Sequence, residues 1–386
     1  MDKKFVMGIA AMAALTLVSC SSDDLDSFSD NSSKNEAISF DGYLGRSAVA
    51  VNGTRGSEET ANTLKTKGFG VFGKYTPTKG QASDLFINQQ VTYFTSTTPT
   101  ESKWTYSPLK FWPSDGHIDF LAYAPYDKNT TLTENSKINN FIVDKDIAKQ
   151  KDLLWTNDMN HQITANITSA KEKVKFQFHH ALSRLGYTVN LTGDYSSKPE
   201  NKATFTLKKI TLAGSPDETK GAFYESGTID LSKATKDEKL WSDQTGKQKF
   251  DWSSVDKQVT YVDPKDQTKK PVSNPSTEYL FVIPQNFPEK IEDPAHSGQQ
   301  IDNPDKLYVI VEYTIDYGGG VKVDNKVYKR LTQEFKQGKA YMLNLTLGLP
   351  IEFDVNLSEG VDAGVDGWGT DEDINIGSND KNPWDR

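Results

Sequence analysis

The groups in this 386-residue chain that could do chemistry are five histidines, one cysteine, a set of tryptophans and an acidic run near the C-terminus. His179 and His180 form the only adjacent histidine pair. Neighbouring residues on a strand face opposite ways, so these two imidazoles are expected not to share an ion. His117 and His161 lack a second ligand at metal spacing, and His296 sits in a polar stretch. There is no Gly-x-Ser-x-Gly nucleophile elbow, and a Ser-His-Asp triad assembled from distant positions leaves no local mark. Asp371-Glu372-Asp373-Ile374-Asn375, followed by Gly377, resembles a calcium loop. Its glycine falls one place late, however, and no glutamate closes it. Gly318-Gly319-Gly320 is a turn, because no Lys-Ser pair follows as a phosphate loop requires. The expectation is no enzyme, no cofactor and no metal. Lys and Arg number 44 against 53 Asp and Glu, with no basic stripe, which argues against nucleic acid. Trp104, Trp112, Trp155, Trp241 and Trp252 offer an alternative reading, a glycan-binding surface lipoprotein serving polysaccharide uptake. Core packing is the commoner use of such indoles.

Cys20 carries the clearest chemical signal. Lys3 and Lys4 precede an apolar run from Phe5 to Val18, and Ser19 stands just before the cysteine. The run is shorter than the roughly 20 residues that span a bilayer. This layout is that of a lipoprotein signal (residues 1–19), in which the cysteine is lipidated, with palmitate, and becomes the new first residue. Ser21-Ser22-Asp23-Asp24-Leu25-Asp26 follows at once. Lipoproteins that Bacteroidetes export to the outer-membrane surface resemble this pattern. Residues 20–36 read as a flexible acidic tether. With Cys20 committed to lipid, no cysteine remains for a disulfide or a thiolate site.

The elements behind these groups read as strands. Aromatic and β-branched residues recur in short runs, which favours an all-β fold, and the mature length suits two domains. Ile38, Phe40 and Leu44 share one face of a first strand, with Gly42 among them. Arg46 and Arg55 follow in a stretch of small and polar residues open to proteases. His117–Ala124 has apolar residues on both faces and is expected to be covered on both. Leu307, Val309, Val311, Tyr313 and Ile315 alternate cleanly, and the glycines after them predict a hairpin. Residues 213–277 read as polar loops or small hairpins. Ile351, Phe353, Val355 and Leu357 alternate again, and Ile374 and Ile376 mark the Gly- and Asp-rich tail. The expected division is an N-terminal domain at 37–172 and a C-terminal domain at 173–386.

Several stretches in series resemble the fimbrillin family of Bacteroidetes, which includes subunits and anchors of type V pili. They are Gly68-Phe69-Gly70-Val71-Phe72, Phe111-Trp112-Pro113 running to Ala124-Pro125, and Asp152-Leu153-Leu154-Trp155. Val174 to Leu185, with its Phe178-His179-His180-Ala181-Leu182 centre, is the most telling, and Tyr279 to Gln285 and Tyr341 to Leu347 complete the series. The resemblance implies two tandem transthyretin-like β-sandwich domains and donor-strand assembly. A protease would cut after Arg46 or Arg55, and the strand of Ile38, Phe40 and Leu44 would leave. A neighbour's strand would then fill the groove. Candidate donor residues are Ile351, Phe353, Val355 and Leu357, then Ile374 and Ile376. The 351–357 segment fits equally an ordinary last strand. The implied partners are other fimbrillin subunits, the outer membrane through lipid on Cys20, and a host or bacterial surface ligand.

Overall fold

The computed structural model describes residues 37–43, 59–97, 103–163, 173–197, 202–233, 239–253, 255–266, 268–275, 278–349, 351–360 and 371–372. The described chain is almost entirely β. Strands of the first half are β1 (Ser39–Tyr43), β2 (Phe69–Thr76), β3 (Ser83–Phe94), β4 (Lys103–Thr105), β5 (His117–Ala124), β6 (Lys137–Ile142), β7 (Leu154–Gln162), β8 (Lys173–Gln177) and β9 (His179–His180). One short helix, α1 (Ala61–Lys67), precedes β2. A capping box between Thr60 and Thr63 starts it, satisfying N–H groups that would otherwise lack partners.

Six strands form the main sheet of this half in the order β4-β3-β2-β5-β7-β9. β1 and β8 pair with each other in parallel and cover one of its faces. β5 shows how the sequence builds this sheet. Ile118, Phe120, Ala122 and Ala124 point into an aromatic-rich core under β1 and β8. Leu121 and Tyr123 point the other way, into a larger core shared with the second half. β2 and β7 divide in the same manner, Val71 and Leu154 to one side, Phe72 and Trp155 to the other.

The second half contains β10 (Ser183–Leu191), β11 (Thr204–Ala213), β12 (Ser226–Asp230), β13 (Trp241–Thr245), β14 (Phe250–Trp252), β15 (Lys257–Val259), β16 (Val272–Ser273) and β17 (Leu280–Val282). After the short β18 (Gln285–Asn286), β19 (Lys290–Glu292) and β20 (Gln300–Asp302) come β21 (Leu307–Asp316), β22 (Lys322–Leu331), β23 (Glu334–Phe335), β24 (Ala340–Gly348), β25 (Glu352–Gly360) and β26 (Asp371–Glu372). One sheet runs β16-β10-β24-β25-β26, with β17 also on β10; another runs β14-β11-β21-β22, with β15 also on β11. The expected hairpin is β21–β22, turning through Gly318, Gly319 and Gly320, all at positive φ. All five alternating residues from Leu307 to Ile315 are buried. β11 opposes them and keeps Phe205, Leu207, Ile210 and Leu212 inward because a bulge between Leu207 and Lys209 resets its alternation.

Two features of the chain bear on how its halves join. Val174, Phe176 and Phe178 lie in the first core, and Ala181 and Leu182 in the larger one, so within this stretch the chain passes from one core to the other between Phe178 and Ala181. Alternation identifies a strand but not the core it joins. The two halves also share a sheet: β6 pairs with β12, which pairs with β13. The stretch 213–277 contributes two of its three strands, β12 and β13, and several core aromatics.

Candidate functional site

The candidate displaced strand is β1. It is five residues long and pairs in parallel with β8, from Ser39 opposite Lys173 to Tyr43 opposite Gln177. Parallel strands cannot be joined by a tight turn, so β1 is linked to β8 only through the whole intervening half. Its inward residue Phe40, and Ile38 just before the strand, are buried. The Phe40 ring touches those of Phe86, Tyr106, Phe120 and Phe176, at centroid distances of 5.4, 5.4, 5.9 and 5.5 Å. Burial of such side chains contributes about 1.5–3 kcal/mol each.

The other edge of β1 is held through its main chain. The Ile38 N–H donates to the Lys110 carbonyl at 2.8 Å. The Tyr106 hydroxyl donates to the Ile38 carbonyl at 2.7 Å, and the Trp104 Nε1–H donates to the Gly42 carbonyl at 3.0 Å. Ala37 bridges to Phe111. These contacts recognise carbonyls and an N–H that any extended chain supplies. Burial raises the Tyr106 phenol above its ordinary pKa, and its hydrogen bonding with Lys110 backbone partly offsets this. It therefore remains a donor at neutral pH. Nothing in the sequence assigns Trp104 and Tyr106 this role, because an indole and a phenol in a strand read first as packing.

Under Gly42 the groove closes. A Cβ added there would meet the Phe69 ring at 2.8 Å. Phe69 is fully buried and lies against Trp104, Phe176 and Phe178 at 4.9, 5.9 and 5.2 Å. It is the first residue of β2, paired with Val91.

Leu44, Arg46 and Arg55 lie outside the described residues, as does Cys20. The chain resumes at Glu59, which is firmly tied. Its N–H donates to Asp152 Oδ2 at 2.8 Å, and its carboxylate pairs with Lys67. Burial pushes the Glu59 carboxyl upward, and the Lys67 charge opposes this. Asp152 also bonds His180 Nδ1 at 3.0 Å. The chain is thus fixed on both sides of the stretch with the two arginines, by the β1 ladder before it and the buried Glu59–Asp152–His180 cluster after it.

The C-terminal candidates divide. β25 pairs antiparallel with β24 over eight residues, from Tyr341 opposite Glu359 to Gly348 opposite Glu352. Val355 and Leu357 are buried in the large core, Phe353 packs against it, and Ile351 is exposed. Lys329 of β22 reaches Asp354 at 2.6 Å. Ile374 and Ile376 lie outside the described residues.

The other chemical candidates take structural places. All five tryptophans named for a glycan platform are buried, between 2% and 8% exposed, so none presents an indole face to a sugar. Alternation alone could not show this, because the partner sheets that cover them are distant in sequence. His179 lies near Trp155 while His180 turns to Asp152, on opposite sides as expected. His161 and His296 pair with Asp158 and Asp293, each at 2.8 Å. Among the described residues no group of three or more His, Cys, Asp or Glu could hold a metal ion.

The sequence profile described as fimbrillin-like matches residues 54–368, most of the chain. The chain belongs to the fimbrillin-like family. Over 95% of its length it is 27% identical to fimbrium subunit Fim1C of Phocaeicola vulgatus, covering 97% of that protein. A fimbrial protein from Bacteroides vulgatus, known as a crystal structure, superposes with a TM-score of 0.56 at 19% identity, over 84% of this chain and 99% of that one. The likeness extends this fold to the fimbrillin-like protein described here.

Proposed function

We propose that this protein is a structural subunit or anchor of a cell-surface fimbria, built into the polymer by strand exchange at the β1 groove. The observation that carries this reading is the seating of β1. It is a short strand with two buried anchors, and along its second edge Trp104, Tyr106 and Lys110 bond its main-chain atoms. A groove that pockets alternate side chains and bonds the backbone accepts a replacement strand, which is the physics of β-strand addition. Emptied, it exposes aromatic surface and unpaired backbone, a strong drive for refilling. Membership of the fimbrillin-like family and the full-length likeness to a fimbrium subunit support the same role.

In this reading the chain is held at the outer membrane by lipid on Cys20 until a protease cuts after Arg46 or Arg55. Glu59 then keeps the new end of the body in place while residues upstream are free to leave. The donor is the tail with Ile374 and Ile376, because Val355 and Leu357 of the alternative segment are already used in the core. Surface protein run unboiled on a gel is expected to form a ladder, with subunits whose N-terminus begins after Arg46 or Arg55. The Arg46→Ala, Arg55→Ala double variant is expected to stay monomeric and to begin at Cys20. Normal polymers from that variant would rule out cleavage at either arginine.

A further inference from the structure

We infer that Phe69 gauges the register of the strand in the β1 groove by capping its third inward position. This rests on the strand-exchange reading above. The groove takes large side chains at the first two inward positions, occupied by Ile38 and Phe40. At the third, the Phe69 ring stands 2.8 Å from where a Cβ on Gly42 would be. That ring cannot swing aside cheaply, since Trp104, Phe176 and Phe178 pack around it. Close-packed interiors resist added volume, at a cost of typically 1–3 kcal/mol. The strand that fits is therefore bulky, bulky, small at alternate positions.

Two stretches of this chain can be laid on that rule. Phe353, Val355 and Leu357 place a leucine under the cap, and are rejected. Ile374, Ile376 and Ser378 place a serine there; its Cβ meets the same ring, but it adds two heavy atoms where leucine adds four and so demands the smaller displacement. The occupant is accordingly the 374–378 segment of a second copy, with Ile374 in the Ile38 site, Ile376 in the Phe40 site and Ser378 at the Gly42 position. A one-residue slip would turn Asn375 and Gly377 inward and both isoleucines outward, so the register has no near competitor.

The cap can be tested by itself in the uncut chain. Gly42→Leu is expected to lower the melting temperature by roughly 3–10 °C, and Phe69→Leu in the same chain to restore part of that loss. An unchanged melting temperature in Gly42→Leu would overturn the inference. In polymers, Ser378→Leu is expected to abolish the ladder and Ser378→Gly to preserve it. Acceptor subunits carrying Phe69→Leu, or Phe69→Ala if that folds better, should recover assembly with Ser378→Leu donors. Wild-type ladders from Ser378→Leu, or no recovery with folded Phe69 variants, would also overturn it. Failure of the underlying reading looks different: ladders that survive Ile374→Asp together with Ile376→Asp exclude this tail as donor, whatever Phe69 does.

Discussion

At the scale of single residues, the hold on β1 comes from a few groups whose loss should be measurable. Phe40→Ala removes a ring that meets four others and leaves a cavity behind, so a loss of about 3–5 kcal/mol is expected by chemical denaturation. Trp104→Phe keeps most of the packing but leaves the Gly42 carbonyl without its indole donor, and should cost about 1–2 kcal/mol. A second cluster governs acid stability. Burial alone would raise the Glu218 carboxyl, but hydrogen bonds and charge from Lys326 (2.6 Å), Lys209 (3.0 Å) and Lys249 (3.3 Å) outweigh this and hold it at about 2. A carboxyl depressed on folding adds stability above its unfolded pKa near 4.5, and that stability fades as pH falls toward 2. Glu218→Gln should therefore lower stability at pH 7 and flatten the loss between about pH 4.5 and 2, read from melts across that range. Glu59 has the opposite sign. Its raised carboxyl favours the fold most at acid pH, and that share is lost as pH rises through its folded pKa.

At the scale of elements, β1 and β25 looked alike in sequence and are placed differently. Both alternate apolar residues, but β25 is half of a hairpin with a continuous ladder to β24, whereas β1 relies on a distant partner. Val355→Asp is thus expected to destabilise the fold by several kcal/mol, since it buries a charge without a partner. Ile374→Asp with Ile376→Asp should leave the melting temperature of the monomer unchanged and stop polymerisation. Much of this element scale was legible in the sequence. The two-faced strand at His117–Ala124, the Leu307–Ile315 alternation and its glycine turn follow directly from residue order, because period-2 burial leaves a local pattern. What stayed hidden depends on partners far along the chain. The parallel match of β1 to β8, the main-chain bonds from Trp104 and Tyr106, and the sheet joining β6 to β12 leave no local trace. Helix α1 leaves no sequence mark either, since its apolar contribution reduces to buried Leu64, too little for a visible stripe.

At the scale of the whole molecule, the shared core and shared sheet make the halves interdependent. Calorimetry of the uncut chain is expected to show one cooperative transition, and Trp241→Ala in the connecting sheet, which loses its bond to the Ala181 carbonyl, should lower it as a whole without splitting it. The outer strand β22 carries Lys322, Lys326, Lys329 and Arg330, and such charge discourages random edge-to-edge association. The parallel seat of β1 also has a mechanical consequence. In the proposed lipid-anchored form, tension between the membrane and the body would enter at Ala37 and pull β1 along its own axis. Its ladder and its two buried anchors would then resist in shear, all together and not one after another as in an unzipping hairpin. A cut between Tyr43 and Glu59 would sever the covalent path but not this joint. Proteolysis would arm the subunit, and the moment of detachment would be set by the rate at which the strand slides out under load.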